Sequence, residues 1–126
     1  MKQALQDKIV EAVVAEIYAA YPQLQEAFGE RGRRKTIEDN YHHLHHLETC
    51  FELRDYTFFQ DYTAWLQRVL TSRGVSTELI IDNFERLSRH MEIETALSKE
   101  ESTLYQHYLE QAISFLQHQG NSEPHS

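Results

Sequence analysis

The chain has 126 residues, of which 40% are hydrophobic and 25% are charged, and these values are typical of one globular domain. Its net charge of −8 argues against a nucleic-acid partner, because phosphate binding requires clustered basic side chains. The first 20 residues contain no continuous apolar run, and the lone Cys50 cannot form an intramolecular disulfide. We therefore expect a cytoplasmic protein with no membrane partner.

The N-terminal part of the chain predicts a long helix followed by a short one. An apolar residue recurs at every fourth position within residues 2–20, namely Leu5, Ile9, Val13 and Ile17. This spacing predicts an amphipathic helix that ends before Pro22. Pro22 then begins a short helix over residues 22–28. We expect Gly29 and Gly32 to break the chain into an exposed basic loop that continues to Lys35.

Four longer helices are predicted after this loop. The first begins at Thr36, where Asp39 three residues later resembles a capping box, and it ends near residue 54. The second covers residues 56–72 and is the most apolar. The third and fourth begin after Ser76 and Ser98, the latter with a capping box. We expect Gly120 to end the last helix and residues 120–126 to form a disordered tail.

These elements predict an all-α fold. The chain has only four Gly and two Pro, and no stretch shows the period of two that is typical of strands. Short connections between the later helices favour antiparallel neighbours. The prediction is a single domain over residues 1–119, an antiparallel bundle of four long helices with an added N-terminal helix pair. A globin-like arrangement is the alternative.

The most unusual segment is a run of four histidines within residues 42–46. At about 100° per residue, His42 and His46 project away from the apolar face of their helix. Residues four apart lie on one side of a helix, so this pair can chelate a transition metal. The alternative is two solvated histidines, because a pair without a third ligand is a weak signal.

A second group of polar residues lies along one edge of the same helix. Asp39, His43, His46 and Cys50 follow each other at helical spacing. Asp39 is one turn from His43, so its carboxylate can fix the tautomer of the imidazole. Such a histidine can serve as an axial ligand to a tetrapyrrole or contact a partner protein. The alternative is a local Asp–His hydrogen bond, with Cys50 as a small half-buried hydrophobe.

The helix over residues 56–72 is rich in aromatic side chains. Tyr62 and Trp65 lie three residues apart, and Phe58 and Phe59 precede them by one turn. Aromatic residues at helical spacing indicate a core face. The same spacing also allows a flat aromatic wall against a planar ligand.

Several of these motifs together resemble a known bacterial module. They are Gly29-Glu30-Arg31-Gly32-Arg33, Glu38-Asp39, His43-Leu44, Phe59-x-x-Tyr62-x-x-Trp65, Val69-Leu70 and Ser72-Arg73-Gly74-Val75. The pattern is similar to the helical-bundle module N-terminal to cobalamin-binding domains in bacterial regulators. The resemblance implies a sensing or signalling role in which His43, Tyr62 and Trp65 face a ligand or a partner domain.

The chain also departs from that family. We expect no second domain after the bundle, and the sequence lacks the Asp-x-His-x-x-Gly element that supplies the lower cobalt ligand. The resemblance therefore implies a stand-alone relative that binds another tetrapyrrole, pairs with a partner protein or has lost the ligand.

The functional prediction is a small regulatory or sensory domain and not an enzyme. The sequence offers no nucleophile–base arrangement, phosphate loop or paired catalytic carboxylates. The expected ligand is a tetrapyrrole (haem, bilin or corrinoid) between the helices over residues 36–54 and 56–72. Its predicted contacts are Asp39, His43, Cys50, Tyr62 and Trp65. The alternatives are an interaction module that forms a homodimer or binds a signalling partner, and a transition-metal site at His42 and His46.

Overall fold

A computed structural model describes the backbone of residues 1–121 and the side chains of residues 1–119. Within these residues the chain forms five helices and no strand, which confirms the all-α prediction. The helices are α1 (Gln3–Ala20), α2 (Gln23–Leu53), α3 (Thr57–Ser72), α4 (Thr77–Ile93) and α5 (Lys99–Asn121). None of them combines the length and the apolar character that a membrane span requires.

Helix α2 differs most from the sequence prediction. The predicted short helix, the basic loop and the helix predicted to begin at Thr36 form one element, which is interrupted only at Gly29 (φ 63°, ψ −161°). The expected basic loop is helical, and Thr36 is not an N-cap, because its hydroxyl donates to the carbonyl of Gly32 in the preceding turn at 2.9 Å. A single glycine in a helical segment costs only about 1 kcal/mol. Gly32 is therefore compatible with a helix, whereas Gly29 makes the kink.

The ends of the later helices agree better with the sequence. Ser98 Oγ accepts a hydrogen bond from the Glu101 amide at 3.0 Å, and the Glu101 carboxylate accepts one from the Ser98 amide at 2.9 Å, so the capping box is confirmed. Ser76 accepts from the Leu79 amide at the start of α4. The predicted stop at Gly120 is wrong, since α5 continues to Asn121. Residues 122–126 of the predicted tail lie outside the described residues.

The core joins all five helices. Helix α5 packs most extensively against α4, and it also contacts α2 and α3, while α1 packs against α2 and α4. The buried side chains of α4 and α5 include Phe84, Leu87, Met91, Tyr105, Leu109, Ala112 and Leu116. Among the described residues α1 packs against α2 and α4 alone, and a cavity lies beside the α2 kink.

Candidate functional site

A cavity of about 450 Å³ lies beside the kink of α2. Its walls come from α1, from both parts of α2, from the end of α3 and from the first turns of α4. This volume is within the range of roughly 300–1,000 Å³ that is typical of small-molecule sites. The cavity is therefore the candidate functional site.

Two glycines shape the wall of the cavity that α2 provides. The positive φ of Gly29 redirects the chain, and both Leu24 before the kink and Lys35 after it line the cavity. A Cβ atom at Gly32 would lie 2.3 Å from the Cβ of Phe28, so only glycine allows the two turns to approach this closely. The pair of glycines thus holds the short N-terminal part of α2 against the cavity.

The lining of the cavity has an apolar and a polar part. The apolar side chains include Ile17, Leu24, Phe28, Leu70, Leu79 and Ile80. The polar groups are Thr36, Asp39, His43 and Asn83, and three cationic side chains are Arg31, Lys35 and Arg73. An apolar surface with a few convergent polar groups is the usual composition of a ligand site.

His43 is the most deeply buried polar side chain of the cavity wall, with 2% of its surface exposed. Its Nδ1 lies 2.6 Å from the hydroxyl oxygen of Tyr62. Burial raises the pKa of Tyr62, so the phenol keeps its proton, and its O–H donates to Nδ1 in the tautomer of His43 that carries its hydrogen on Nε2. In this tautomer the Nε2–H group has no hydrogen-bond partner among the described residues. His43 therefore brings an unused donor to the cavity.

The environment of His43 keeps the ring neutral. Burial is the main cause that lowers its pKa to about 3, and the nearby His42 and His46 contribute to the same shift. Phe84 packs edge-on against the ring, with ring centroids 5.1 Å apart. His43 is consequently an uncharged hydrogen-bonding group over the whole neutral pH range.

Asp39 lines the cavity one turn before His43 and is half-buried. Burial raises its pKa, and the positive charges of Arg73 and Lys35 oppose this shift. No hydrogen bond joins Asp39 and His43, and Nδ1 of His43 is bonded to Tyr62. The hydrogen-bond partner of His43 therefore comes from α3 and not from its own helix.

A buried pair of asparagines, Asn40 and Asn83, lies beside the cavity, and Asn83 lines it. Asn40 donates to Asn83 Oδ1 at 3.0 Å, and Asn83 donates back to Asn40 Oδ1 at 2.7 Å. The reciprocal bonds join α2 to α4. Sequence reasoning missed this pair, although a signal existed: Asn40 lies on the same helix face as Leu44 and Leu47, where a polar side chain needs a partner.

Tyr62 and Trp65 do not line the cavity. The ring of His46 stacks on Tyr62 with centroids 3.8 Å apart, which explains why His46 is half-buried and not fully solvated. Trp65 continues this stack at 6.1 Å and is 51% exposed. Among the side chains predicted to contact a ligand, the structure therefore brings His43 and Asp39 to the cavity, while Tyr62 supports His43 and Trp65 faces outward.

Cys50 and the histidine pair lie away from the cavity. Cys50 is fully buried, and burial raises its pKa to about 11, so the thiol stays protonated at neutral pH. His46 Nδ1 donates to the carbonyl of His42 at 2.8 Å. Within the part of the chain that the structure describes, no group of three or more His, Cys, Asp or Glu side chains is arranged to hold a metal ion.

Comparison with family models, with curated proteins and with solved structures finds no match to this chain. The cavity and its residues are therefore the basis for assigning a function.

Proposed function

We propose that the chain is a small regulatory or sensory domain that binds a low-molecular-weight ligand in the cavity beside the α2 kink. The observation that carries the proposal is the unused Nε2–H donor of His43, on a side chain that is 2% exposed and lines the cavity. Nε2 is not among the fully buried side-chain atoms that lack a partner, so it is accessible from the cavity that His43 lines. A ligand with an acceptor at this point gains a hydrogen bond that fixes its orientation.

Two further features support a ligand site over an incidental packing defect. Apolar side chains that are half-exposed, such as Leu24 and Leu79, would become buried when a ligand enters. The shifted pKa values of His43 and Asp39 occur at the same wall, and such shifts concentrate at functional sites.

A fragment screen by NMR tests the proposal. We expect fragments that bind the ¹⁵N-labelled protein to shift amides of residues 17–43 and 73–83, because these segments surround the cavity. Leu79→Trp should fill the cavity and abolish these shifts, whereas Trp65→Ala, which changes an exposed side chain outside the cavity, should leave them intact. Binding that is distributed over the surface, or that survives in Leu79→Trp, would contradict the proposal.

A tetrapyrrole remains one candidate ligand. His43 is the residue that would hold it. A metal-binding histidine is commonly oriented by a hydrogen bond at its other ring nitrogen, and Tyr62 makes such a bond with Nδ1 of His43. This use requires the second tautomer, in which Nδ1 donates to Tyr62 and Nε2 is free to bind a metal. Titration with haemin, biliverdin and cobalamin tests it by absorbance. A shifted band that is lost in His43→Leu supports this ligand class, and an unchanged spectrum with all three excludes it.

A homodimer is a second candidate, and the outer face of α3 favours it. Phe58 and Trp65 lie seven residues apart on this face and are 48% and 51% exposed. Neighbouring exposed aromatic side chains mark partner surfaces. Sedimentation equilibrium should then detect a dimer that Phe58→Ser and Trp65→Ser weaken. A monomer at high concentration would rule this out.

The predicted antiparallel bundle topology is also part of the proposal. The side chain of Ser102, early in α5, donates to the carbonyl of Met91 near the end of α4. This contact supports an antiparallel pair with a short connection. Ile80 lies near the start of α4 and Leu116 near the end of α5. Nuclear Overhauser contacts between these two side chains would test the antiparallel arrangement.

A further inference from the structure

We infer that the ligand of the cavity is an amphiphilic anion: a molecule with an apolar body and one carboxylate, bound as a free monomer. This inference rests on the proposed function, since it names the chemical class of the ligand that the cavity takes. It is carried by the charges that line the cavity and by their order along α2.

The charge of the cavity is opposite to that of the chain. The whole sequence has 12 Lys and Arg against 20 Asp and Glu, and a net charge of −8. The cavity is nevertheless lined by Arg31, Lys35 and Arg73 and by a single acidic residue, Asp39. A local excess of positive charge in an acidic protein attracts an anion and repels a cation.

These cations are available to a ligand. Arg31 and Arg73 form no ion pair within the part of the chain that the structure describes. Lys35 has one exposed contact, with Glu38 at 3.6 Å. An exposed pair of this kind contributes little to stability, so exchanging it for a ligand carboxylate has a small cost.

The residues along α2 give the ligand a direction. Arg31, Lys35, Asp39 and His43 follow each other at steps of four and therefore share one helix face. Along this face the side chains pass from exposed (Arg31 and Lys35) through half-buried (Asp39) to buried (His43). The two cations of α2 thus lie at the exposed end of the face and the unused donor of His43 at the buried end.

Asp39 fixes the orientation of the anion. A carboxylate that moved toward His43 would approach Asp39, whereas a carboxylate at the exposed end meets Arg31 and Lys35. The apolar body then lies against side chains such as Leu24 and Leu79, which form the wall of the cavity. An acceptor oxygen at the far end of the ligand would complete the hydrogen bond of His43.

The first experiment compares three probes that share a ten-carbon apolar chain and carry an anionic, a neutral or a cationic head group. Decanoate, decanol and decyltrimethylammonium are titrated as monomers into the full chain, and Kd is measured by calorimetry and by amide shifts. Each exposed ion pair changes an equilibrium by about two- to five-fold. We therefore expect decanoate to bind at least about five-fold more tightly than decanol and the ammonium probe to bind most weakly. The advantage of decanoate should shrink between about 0.1 M and about 1 M salt, as the Debye length falls from about 10 Å to about 3 Å.

The second experiment assigns the effect to the cavity. Arg31→Gln, Lys35→Gln and Arg73→Gln should each raise the Kd of decanoate by about two- to five-fold and leave that of decanol unchanged. Arg34→Gln is the matched control, because Arg34 is exposed on the same helix and does not line the cavity. Circular dichroism verifies that each variant is folded.

The outcomes separate this inference from the proposed function. Equal binding of decanol and decanoate overturns the anion inference and leaves the cavity as a ligand site. Tighter binding of the ammonium probe, or equal weakening by Arg34→Gln, also overturns it. Binding only above the micelle concentration or only to vesicles identifies a surface association and overturns it as well. If no probe binds, the anion inference fails, and the fragment screen decides the proposed function independently.

Discussion

The α4–α5 interface and the cavity beside the α2 kink use similar apolar residues with opposite results. At the interface Leu87, Leu109 and Leu116 are completely buried. At the cavity Leu24 and Leu79 are half-buried, and Phe28 is 39% exposed. Unfilled space beside an apolar wall forgoes dispersion contacts that a packed interface makes. The difference indicates that the packed interface supplies stability, whereas the cavity is retained at the expense of stability.

His43 lies between the packed core and the cavity, and it should produce the largest effect, through pH. Its pKa is about 3 in the folded protein and 6.5 when unperturbed, so between these values the unfolded chain binds a proton that the folded chain does not. The free energy of unfolding should therefore fall as the pH decreases through this window, and His43 contributes at most about 1.4 kcal/mol per pH unit to the slope. Above this window the ring is neutral in both states, so His43 makes no contribution to the pH dependence. Urea denaturation at a series of pH values measures the slope.

The double variant His43→Leu/Tyr62→Phe is the control for this pH dependence. It removes both partners of the buried hydrogen bond, which can be nearly neutral for stability at neutral pH. Carboxylates elsewhere in the chain still titrate, so only the part of the slope that belongs to His43 should disappear. Identical slopes for the variant and the natural sequence would show that His43 does not titrate as described.

Truncation of one leucine in each region tests the comparison directly. Leu109→Ala should lower the free energy of unfolding by about 2–5 kcal/mol, because it creates a cavity in a filled core. Leu24→Ala should cost well below this range, because the space beside Leu24 is already open. Urea unfolding of both variants gives the values. Equal losses would mean that the cavity wall is as tightly packed as the core.

Gly29→Ala tests the backbone that shapes the cavity. The conformation of Gly29, with φ 63° and ψ −161°, is essentially restricted to glycine, so alanine should destabilise the protein by about 1–3 kcal/mol. Because the strain is confined to the kink, amide hydrogen exchange should increase in residues 23–28 and remain slow in α5. No Cβ contact occurs within 4 Å, so a loss would come from the backbone alone. A variant as stable as the natural sequence would remove the requirement for glycine.

The smallest expected effect distinguishes a true N-cap from an apparent one. Ser98→Ala should cost about 1 kcal/mol, since it removes the hydrogen bond to the Glu101 amide. Thr36→Ala should be neutral or slightly stabilising, because Thr36 lies inside α2 and alanine has the higher helix propensity. Thermal unfolding of the two variants compares them. A larger loss at Thr36 would place a helix start there after all.

Helix positions and caps were largely predictable because they depend on local chemistry. The stripe in α1 and the capping box at Ser98 are both read from residues three or four apart. The error at residues 30–36 has a physical reason. In the sequence Gly29 and Gly32 are both read as residues that break a helix. In the structure Gly29 bends the chain, whereas Gly32 stays helical and allows the close approach of Phe28.

The candidate site was predictable only in part. His43 and Asp39 were identified from their spacing on one helix, and both line the cavity. The partner of His43 was assigned to its own helix, whereas Tyr62 comes from α3. Asn83, Arg73 and the other side chains beyond α2 were not anticipated as neighbours of His43, because their distance in the sequence carries no information about contact.

The sequence by itself determined that the chain is helical, which faces are apolar and where the later helices begin, since these properties arise from interactions within one or two turns. The tertiary structure decided that α2 bends at Gly29, that the bend leaves a cavity and that three cations line it. It also decided that the imidazole of His43 hydrogen-bonds to a tyrosine of another helix. Those features depend on which helix faces meet, and that choice is made by the packing of the whole core.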